Sequence, residues 1–203
     1  MKLFYSPGAS SLSSHIALRE AGLAAELVRV NLETKTLPAS GQSYLAIHPM
    51  GKVPALMLDD GAVLTEGLAV LAYLADLAPA SQLAPAAGTI ERYRLLEALS
   101  FVATELHKGF APMFDAEVPA SFKQRLLRDA RAFERVDALV RPGPYVLGAH
   151  FTVADAYLYP ILRLGSHAGL DFSRWPAIEA YMTRVSRRPA VRAAVHAEGL
   201  IEG

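Results

Sequence analysis

The 203-residue sequence contains no cysteine. That excludes disulfides, thiolate metal sites, dithiol redox chemistry and a cysteine nucleophile, so any sulfur chemistry has to be carried by a bound thiol. Charge of either sign in excess is also missing. Twenty basic residues balance twenty acidic ones, which removes the electrostatic case for nucleic acid or an anionic membrane surface as partner. No apolar run approaches the roughly 20 residues that span a bilayer. The opening residues carry a single lysine and read as a strand rather than a secretory leader, so the cytoplasm is the expected compartment. His15, His48, His150, His167 and His196 show no metal-ligand spacing, and no metal site is expected.

What is present is apolar: 52% hydrophobic against 20% charged residues, enough for a well-buried core in one or two domains. Lys2 to Tyr5 reads as a strand, Ser6-Pro-Gly-Ala9 as a turn, and Leu12, His15, Ile16 and Arg19 as a helix ending near Gly22. Glu26 to Val30 is a second strand, and the strand, helix, strand order predicts a parallel pair. The stretch from Asn31 to Pro49 is loop-rich, with one short helix near Tyr44. Asp59-Asp60-Gly61 between Ala55–Leu58 and Ala62–Leu64 signals a hairpin that completes a four-stranded mixed sheet. A helix follows from Gly67 to about Leu77.

The Ala/Pro-rich piece at 79–89 is the one composition shift, and the domain boundary is expected there: 1–78 as an α/β domain, 79–89 as linker, 90–203 as an all-helical domain. Ile90, Tyr93, Leu96, Leu99, Val102, Leu106 and Phe110 recur at helical spacing up to Pro112. Phe122, Leu126, Leu127, Ala130, Phe133 and Val136 predict a second helix that stops before Pro142. Thr152-Val-Ala-Asp155 has the capping-box spacing, ahead of a helix to about His167 that is apolar around much of its circumference. Pro176 to Arg187 and Pro189 to Ala197 are two closing helices.

The chain is organised around Met50 to Gly67. Pro54 opens a strand and pushes Val53 into extended geometry. A trans Val53-Pro54 bond would make this a plain strand start, whereas a cis bond would turn Val53 outward, where an extended peptide could pair with it as with a strand edge. Thr65-Glu66-Gly67 lies at a helix start, so unpaired N–H groups stand beside an acid, a place for one carboxylate and one ammonium of a peptide-like ligand. An ordinary hairpin followed by a capped helix fits the same residues.

These residues, with Met1-Lys-Leu-Phe-Tyr5, Leu64-Thr-Glu-Gly67, Thr104-Glu-Leu-His-Lys-Gly-Phe110, Phe151-Thr-Val-Ala-Asp-Ala-Tyr157 and Ala197-Glu-Gly-Leu200, resemble the glutathione transferases nearly end to end, and among them the bacterial beta class. The resemblance implies a thioredoxin-like first domain with a cis proline, glutathione as co-substrate, a cytoplasmic homodimer and a role in detoxification. It implies glutathione contacts at Lys52, Val53, Pro54, Glu66 and Gly67, and makes Lys35 similar to the lysine that meets the glycine carboxylate. Glu105 resembles an acid that reaches the glutathione of the other subunit. Ser100 stands where the class commonly has Asn. His107 is implied at the sulfur end as hydrogen-bond donor or proton handler. Lys108 reads as a solvated charge.

Glutathione needs its thiol ionised. A free thiol has a pKa of about 8.5, and lowering it by two units takes about 2.7 kcal/mol. A hydrogen bond to the charged sulfur supplies roughly 1.5–3 kcal/mol and a helix N-terminus roughly 0.3–1, so one hydroxyl at such an end suffices. Ser10 and Ser11, between the first strand and the first helix, are the candidates; a serine there is also an ordinary helix cap. Ser10 falls where the beta class has a cysteine, so a covalent or redox role does not carry over, and Ser11 matches the position of the activating hydroxyl in the serine-type classes. Tyr5 is a third candidate, or a core aromatic.

The expected reaction is attack of the glutathione thiolate on a hydrophobic electrophile held along Leu106 to Phe114 and the end of the buried helix. The same fold hosts other chemistries, so a glutathione-dependent isomerase, reductive or lyase activity, or a non-catalytic glutathione-binding carrier, are the alternatives.

Overall fold

The computed structural model describes residues 1–128 and 130–200, and for 126–128 the backbone alone. Two compact units result, Met1–Ala84 together with the segment from Arg188 onward, and Pro85–Arg187.

In the first unit, β1 (Lys2–Tyr5), α1 (Leu12–Glu20), β2 (Glu26–Arg29), β3 (Ala55–Met57), β4 (Val63–Leu64) and α2 (Gly67–Leu77) follow the expected order. The sheet order is β2-β1-β3-β4, with β1 parallel to β2 and antiparallel to β3, and β3 antiparallel to β4. Alternation along β1 sends Leu3 to one face and Phe4 to the other. Phe4, Val30, Leu37, Tyr44 and Ala55 form one cluster, and Leu12, Ile16, Leu71 and Leu74 of the two helices are buried as well. Each such side chain contributes about 1.5–3 kcal/mol by leaving water. Gly61, at φ +88°, turns the hairpin, with the Leu58 N–H donating to the Ala62 carbonyl at 2.8 Å.

Further along the chain, α9 (Pro189–Ala197) packs against α1. It therefore belongs to the first unit, whereas the helical periodicity groups it with the helices that precede it. Its tie is a paired Arg188, whose Nε and Nη2 meet the Glu20 carboxylate at 2.6 and 2.8 Å.

The second unit is mostly helical. Thr89 caps α3 (Ile90–Phe101), its hydroxyl oxygen accepting from the Arg92 N–H at 3.3 Å. The helical path continues as a π-helical segment, Val102–His107, then α4 (Lys108–Phe110) and a 3-10 turn, Ala111–Phe114, where Pro112 has no N–H to give. The single helix expected through Phe122 and Val136 is instead two, α5 (Ala120–Arg128) and α6 (Arg131–Val140). Asp129 and the side chains of Leu126 and Leu127 lie outside the described residues, as do 201–203 at the end of the expected helical domain. α7 (Val153–His167) is buried along most of its length, and α8 (Pro176–Ser186) follows. No helix among the described residues is long and apolar enough to cross a membrane.

The capping box forms as spaced: Thr152 Oγ accepts from the Ala154 N–H, and Asp155 accepts from the Thr152 N–H at 2.8 Å. Asp155 does more than cap. It also accepts from the Val146 N–H at 2.8 Å, from Thr152 Oγ at 3.1 Å and from the Tyr181 hydroxyl at 3.2 Å. Burial pushes its carboxyl up from 3.8 to about 6, outweighing the hydrogen bonds that pull it down. A raised folded-state pKa means that the fold prefers the protonated acid. This contribution is complete below the unfolded carboxyl's titration and is lost as pH rises through about 6. In urea unfolding, the wild type is expected to lose stability between pH 4 and 7 relative to Asp155→Asn, which cannot titrate. Asp155→Ala, leaving several donors unmatched, is expected to cost about 3 kcal/mol or more at either pH.

Candidate functional site

The loop between β1 and α1 is held from below by the end of the chain. Glu198, beside α9, is buried, and its Oε2 accepts from the Gly8 N–H at 3.0 Å. Its Oε1 lies 2.9 Å from Nδ1 of buried His15. Arg19 Nε donates to the other ring nitrogen of His15 at 3.0 Å, so that nitrogen accepts and the His15 proton sits on Nδ1, donated to Glu198. Gly8, at φ +72°, has the backbone freedom the loop requires.

This loop treats its two serines differently. Ser11, fully buried, accepts from the Ser6 N–H at 3.1 Å and donates to the Ser6 carbonyl at 3.3 Å, and makes no side-chain cap bond to the helix it precedes. Its hydroxyl is used inside the loop. Among the described residues Ser10 Oγ reaches only the Val53 carbonyl, at 3.4 Å, a long contact for an O–H donor.

Val53 precedes Pro54 through a cis peptide bond. Its N–H has no partner among the described residues. The approach to it is fixed by two contacts: the hydroxyl of buried Tyr44 donates to the Lys52 carbonyl at 2.7 Å, and Lys35 Nζ donates to the Gly51 carbonyl at 3.2 Å. Gly51 has φ +59°, where a side chain is strained, and a Cβ there would come within 2.8 Å of Lys35 Cδ and crowd the lysine that ties this loop. Burial holds the Tyr44 phenol well above its usual range, so it stays a proton donor.

α2 begins beside Pro54, whose Cδ would lie 3.7 Å from a Cβ at Gly67. Glu66, its N-cap residue, has φ +64° and ψ 116°, and makes no side-chain cap bond. Lys35 has φ +55°. A non-glycine residue held there stores about 1–3 kcal/mol, a feature that gathers at binding sites. Two of the three described non-glycine residues with positive φ are thus residues that the sequence singled out for the ligand.

Ser10, Lys35, Lys52, Val53, Pro54, Glu66 and Gly67 all fall on loops and helix starts of the first unit that touch one another or are chain neighbours. Tyr5 is set apart, its ring 6.2 Å from that of His15 in the support beneath the loop. Ser100, Glu105 and His107 lie in the second unit. Glu105 is exposed, and the Thr104 hydroxyl donates to the Ser100 carbonyl at 3.1 Å. His107 Nδ1 is 2.8 Å from the Tyr157 hydroxyl. A cavity of about 470 Å³ in this unit is lined by Leu106, Gly109, Phe110 and Met113, within the stretch expected to hold an apolar ligand, while α7 contributes none of its lining.

Tyr44, His15 and Glu198 escaped the sequence reading as site residues. Tyr44 looked like part of a short helix. Nothing local connects Glu198 to Gly8, 190 positions earlier.

Residues 10–77 match the family described as glutathione S-transferase, N-terminal domain, and residues 101–189 match glutathione S-transferase, C-terminal domain. Glutathione S-transferase GstA of Escherichia coli O157:H7 is 44% identical over 201 residues, covering 98% of this chain and 100% of that protein. A bacterial beta class glutathione S-transferase of Sphingomonas chungbukensis is 44% identical with a TM-score of 0.94, over 99% of this chain and 100% of that one. A sphingomonad glutathione S-transferase complexed with glutathione is 45% identical with a TM-score of 0.93, over 99% and 100%.

The support under the loop gives a direct expectation. Glu198→Ala leaves the Gly8 N–H and the His15 Nδ1–H without their acceptor in a buried place, at about 1–3 kcal/mol each. Thermal unfolding should shift down by roughly 4–24 °C at the 2–4 °C per kcal/mol usual for a chain of this size, and Glu198→Gln, which keeps one acceptor, by less. A melting point equal to the wild type in Glu198→Ala would remove the support from this account.

Proposed function

This chain belongs to the glutathione S-transferase family, and on that premise we propose that it conjugates glutathione to hydrophobic electrophiles, with Ser10 as the hydroxyl that stabilises the thiolate. Glutathione lies extended along Val53, pairing with its free N–H and its carbonyl as an added strand would. The γ-glutamyl end meets Glu66 and the first N–H groups of α2 from Gly67 onward, and the glycine carboxylate meets Lys35 and Lys52. The sulfur then falls at the N-terminus of α1.

One observation carries the choice of serine: Ser10 Oγ rests at 3.4 Å on the carbonyl of Val53, loosely held and next to the peptide-binding edge, while both hydrogen-bonding roles of Ser11 are taken up by Ser6. A hydroxyl that has no strong partner to give up can turn its proton to a sulfur anion. The thiolate attacks the electrophilic carbon, a carbon–sulfur bond forms, and the leaving group departs with its electron pair or, in an addition, the carbanion takes up a proton. His107 serves this step as hydrogen-bond donor or proton handler. The apolar stretch Leu106 to Phe114 supports an electrophile without naming one. The glutathione-binding part is 1–78, and the working form is a cytoplasmic, bacterial homodimer in which Glu105 and Ser100 reach the partner's glutathione, acting in detoxification.

Conjugation of glutathione to an activated aryl halide tests this. Ser10→Ala is expected to raise the pKa of the bound thiol by about 1–2 units and to lower kcat/KM by roughly 10- to 100-fold, the effect of one hydrogen bond to a charged sulfur. Ser11→Ala should act mainly on stability. An unchanged thiol pKa in Ser10→Ala would end the assignment of Ser10. Glutathione binding without turnover would make the chain a carrier, and turnover confined to an isomerisable substrate would make it an isomerase.

A further inference from the structure

α9 carries two basic residues, Arg192 and His196, and no acid. They stand four positions apart and so share one helical face. Arg19 of α1 joins them across a groove of about 740 Å³, whose apolar lining includes Pro189, Ala193 and Leu200. All six residues belong to the first unit. The three basic side chains are exposed, and among the described residues no carboxylate lines the groove.

An exposed arginine is ordinarily a solvated charge, so what the neighbouring acids do decides the reading. Glu198 is buried and turned inward, holding the Gly8 N–H and His15, and Glu20 meets Arg188. Neither is left for Arg192 or His196, whose side chains make no hydrogen bond or ion pair with a described residue. Arg19 gives its Nε to His15 at 3.0 Å and keeps the Nη edge of its fork. A guanidinium fork takes two oxygens of one oxyanion. A phosphate monoester offers three oxygens and a charge of about −1.5 to −2 at neutral pH, which two forks and an imidazole match better than they match a single carboxylate. A bare phosphate would leave the apolar lining unused.

We propose that the groove between α1 and α9 binds a small organic phosphate, its oxygens on Arg19, Arg192 and His196 and its organic part over Ala193 and Leu200, and that binding is transmitted to the loop between β1 and α1. Two contacts carry the transmission. The first runs from Arg19 through His15 and Glu198 to the Gly8 N–H, each link a hydrogen bond of 2.9 to 3.0 Å. The second is Leu200: a Cβ at Gly8 would lie 3.2 Å from its Cδ2, so a side chain that lines the groove also rests on the loop's glycine. An anion that draws Arg19 toward the groove alters its hold on His15, and the change reaches Gly8. The proposal is independent of the choice of Ser10 and of the conjugation itself.

Titration of the full chain with phenyl phosphate at low ionic strength, followed by nitrogen–proton NMR of the backbone amides, tests both parts. Phenyl phosphate should bind with a Kd on the order of 1 mM or tighter, moving the amides of Arg192, His196 and Leu200 and, along the same curve, that of Gly8. Inorganic phosphate should bind the same residues about fivefold more weakly for want of a ring to bury, and phenol should not compete. Arg192→Gln should raise the Kd by about three- to fivefold, the upper range for one exposed ion pair, and Arg192→Gln with His196→Gln by about tenfold. The absence of a saturable shift on α9, or a Kd unchanged in both variants, overturns the site. Shifts confined to Lys35, Lys52 and their neighbours overturn it as well, by placing the phosphate beside Val53 instead. Equal affinity for inorganic phosphate overturns the organic part, and groove amides that move while Gly8 stays still overturn the transmission.

Discussion

The first unit depends on a carboxylate that never sees water. Removing a carboxylate from solvent costs several kcal/mol even after relaxation, so a buried Glu198 persists only because its oxygens are matched, one by the Gly8 N–H and one by His15. Arg19 completes the arrangement from the surface side by fixing which His15 nitrogen holds the proton. The consequence is structural before it is chemical. The loop from Ser6 to Ser11 is tied at its glycine, and once that point is fixed, Ser11 turns inward to Ser6 and Ser10 is left facing Val53. Two adjacent serines that composition cannot tell apart acquire different duties from a hydrogen bond made by a residue near the other end of the chain.

Local signals were legible wherever the physics is local. The Asp60-Gly61 turn, the glycine after α1 and the Thr152–Asp155 box each depend on a few consecutive residues, and each formed where its spacing put it. Periodicity showed which faces are buried, but not against what. α9 has the same apolar repeat as its neighbours, and only its packing on α1 and the Arg188–Glu20 pair assign it to the first unit. The division of the expected second helix into α5 and α6 lies within an unbroken apolar repeat, which carries no stop signal for a reader to find.

The site follows the same rule with a twist. Glu66 and Lys35 were visible as charges in loops, yet what marks them in the structure is their backbone, held at positive φ where a glycine would be at ease. A reader of side chains expects the carboxylate and the ammonium to matter, whereas the fold spends strain on where their main chains point. Tyr44 was invisible for the opposite reason: an aromatic in a short helix is usually core, and here the ring is core while its hydroxyl holds the Lys52 carbonyl. Buried polar tips of that kind cannot be separated from plain packing until a partner is seen.

A serine at the start of α1 has a consequence that runs from chemistry back to composition. Placed beside a bound thiol, a cysteine is a second sulfur that competes for the same stabilisation and can form a bond to it. A hydroxyl has a proton to donate at every physiological pH and no accessible oxidation state to exchange. In a chain without any cysteine, a thiolate bound at that helix end would have nothing in the protein's own side chains to form a disulfide with. On the proposed reading a firmly held loop has a use: a neutral hydroxyl stabilises a thiolate only through one directional hydrogen bond, roughly 1.5–3 kcal/mol when well aligned and far less when bent. A point charge would tolerate a loose loop, whereas a single O–H donor needs the buried carboxylate beneath it.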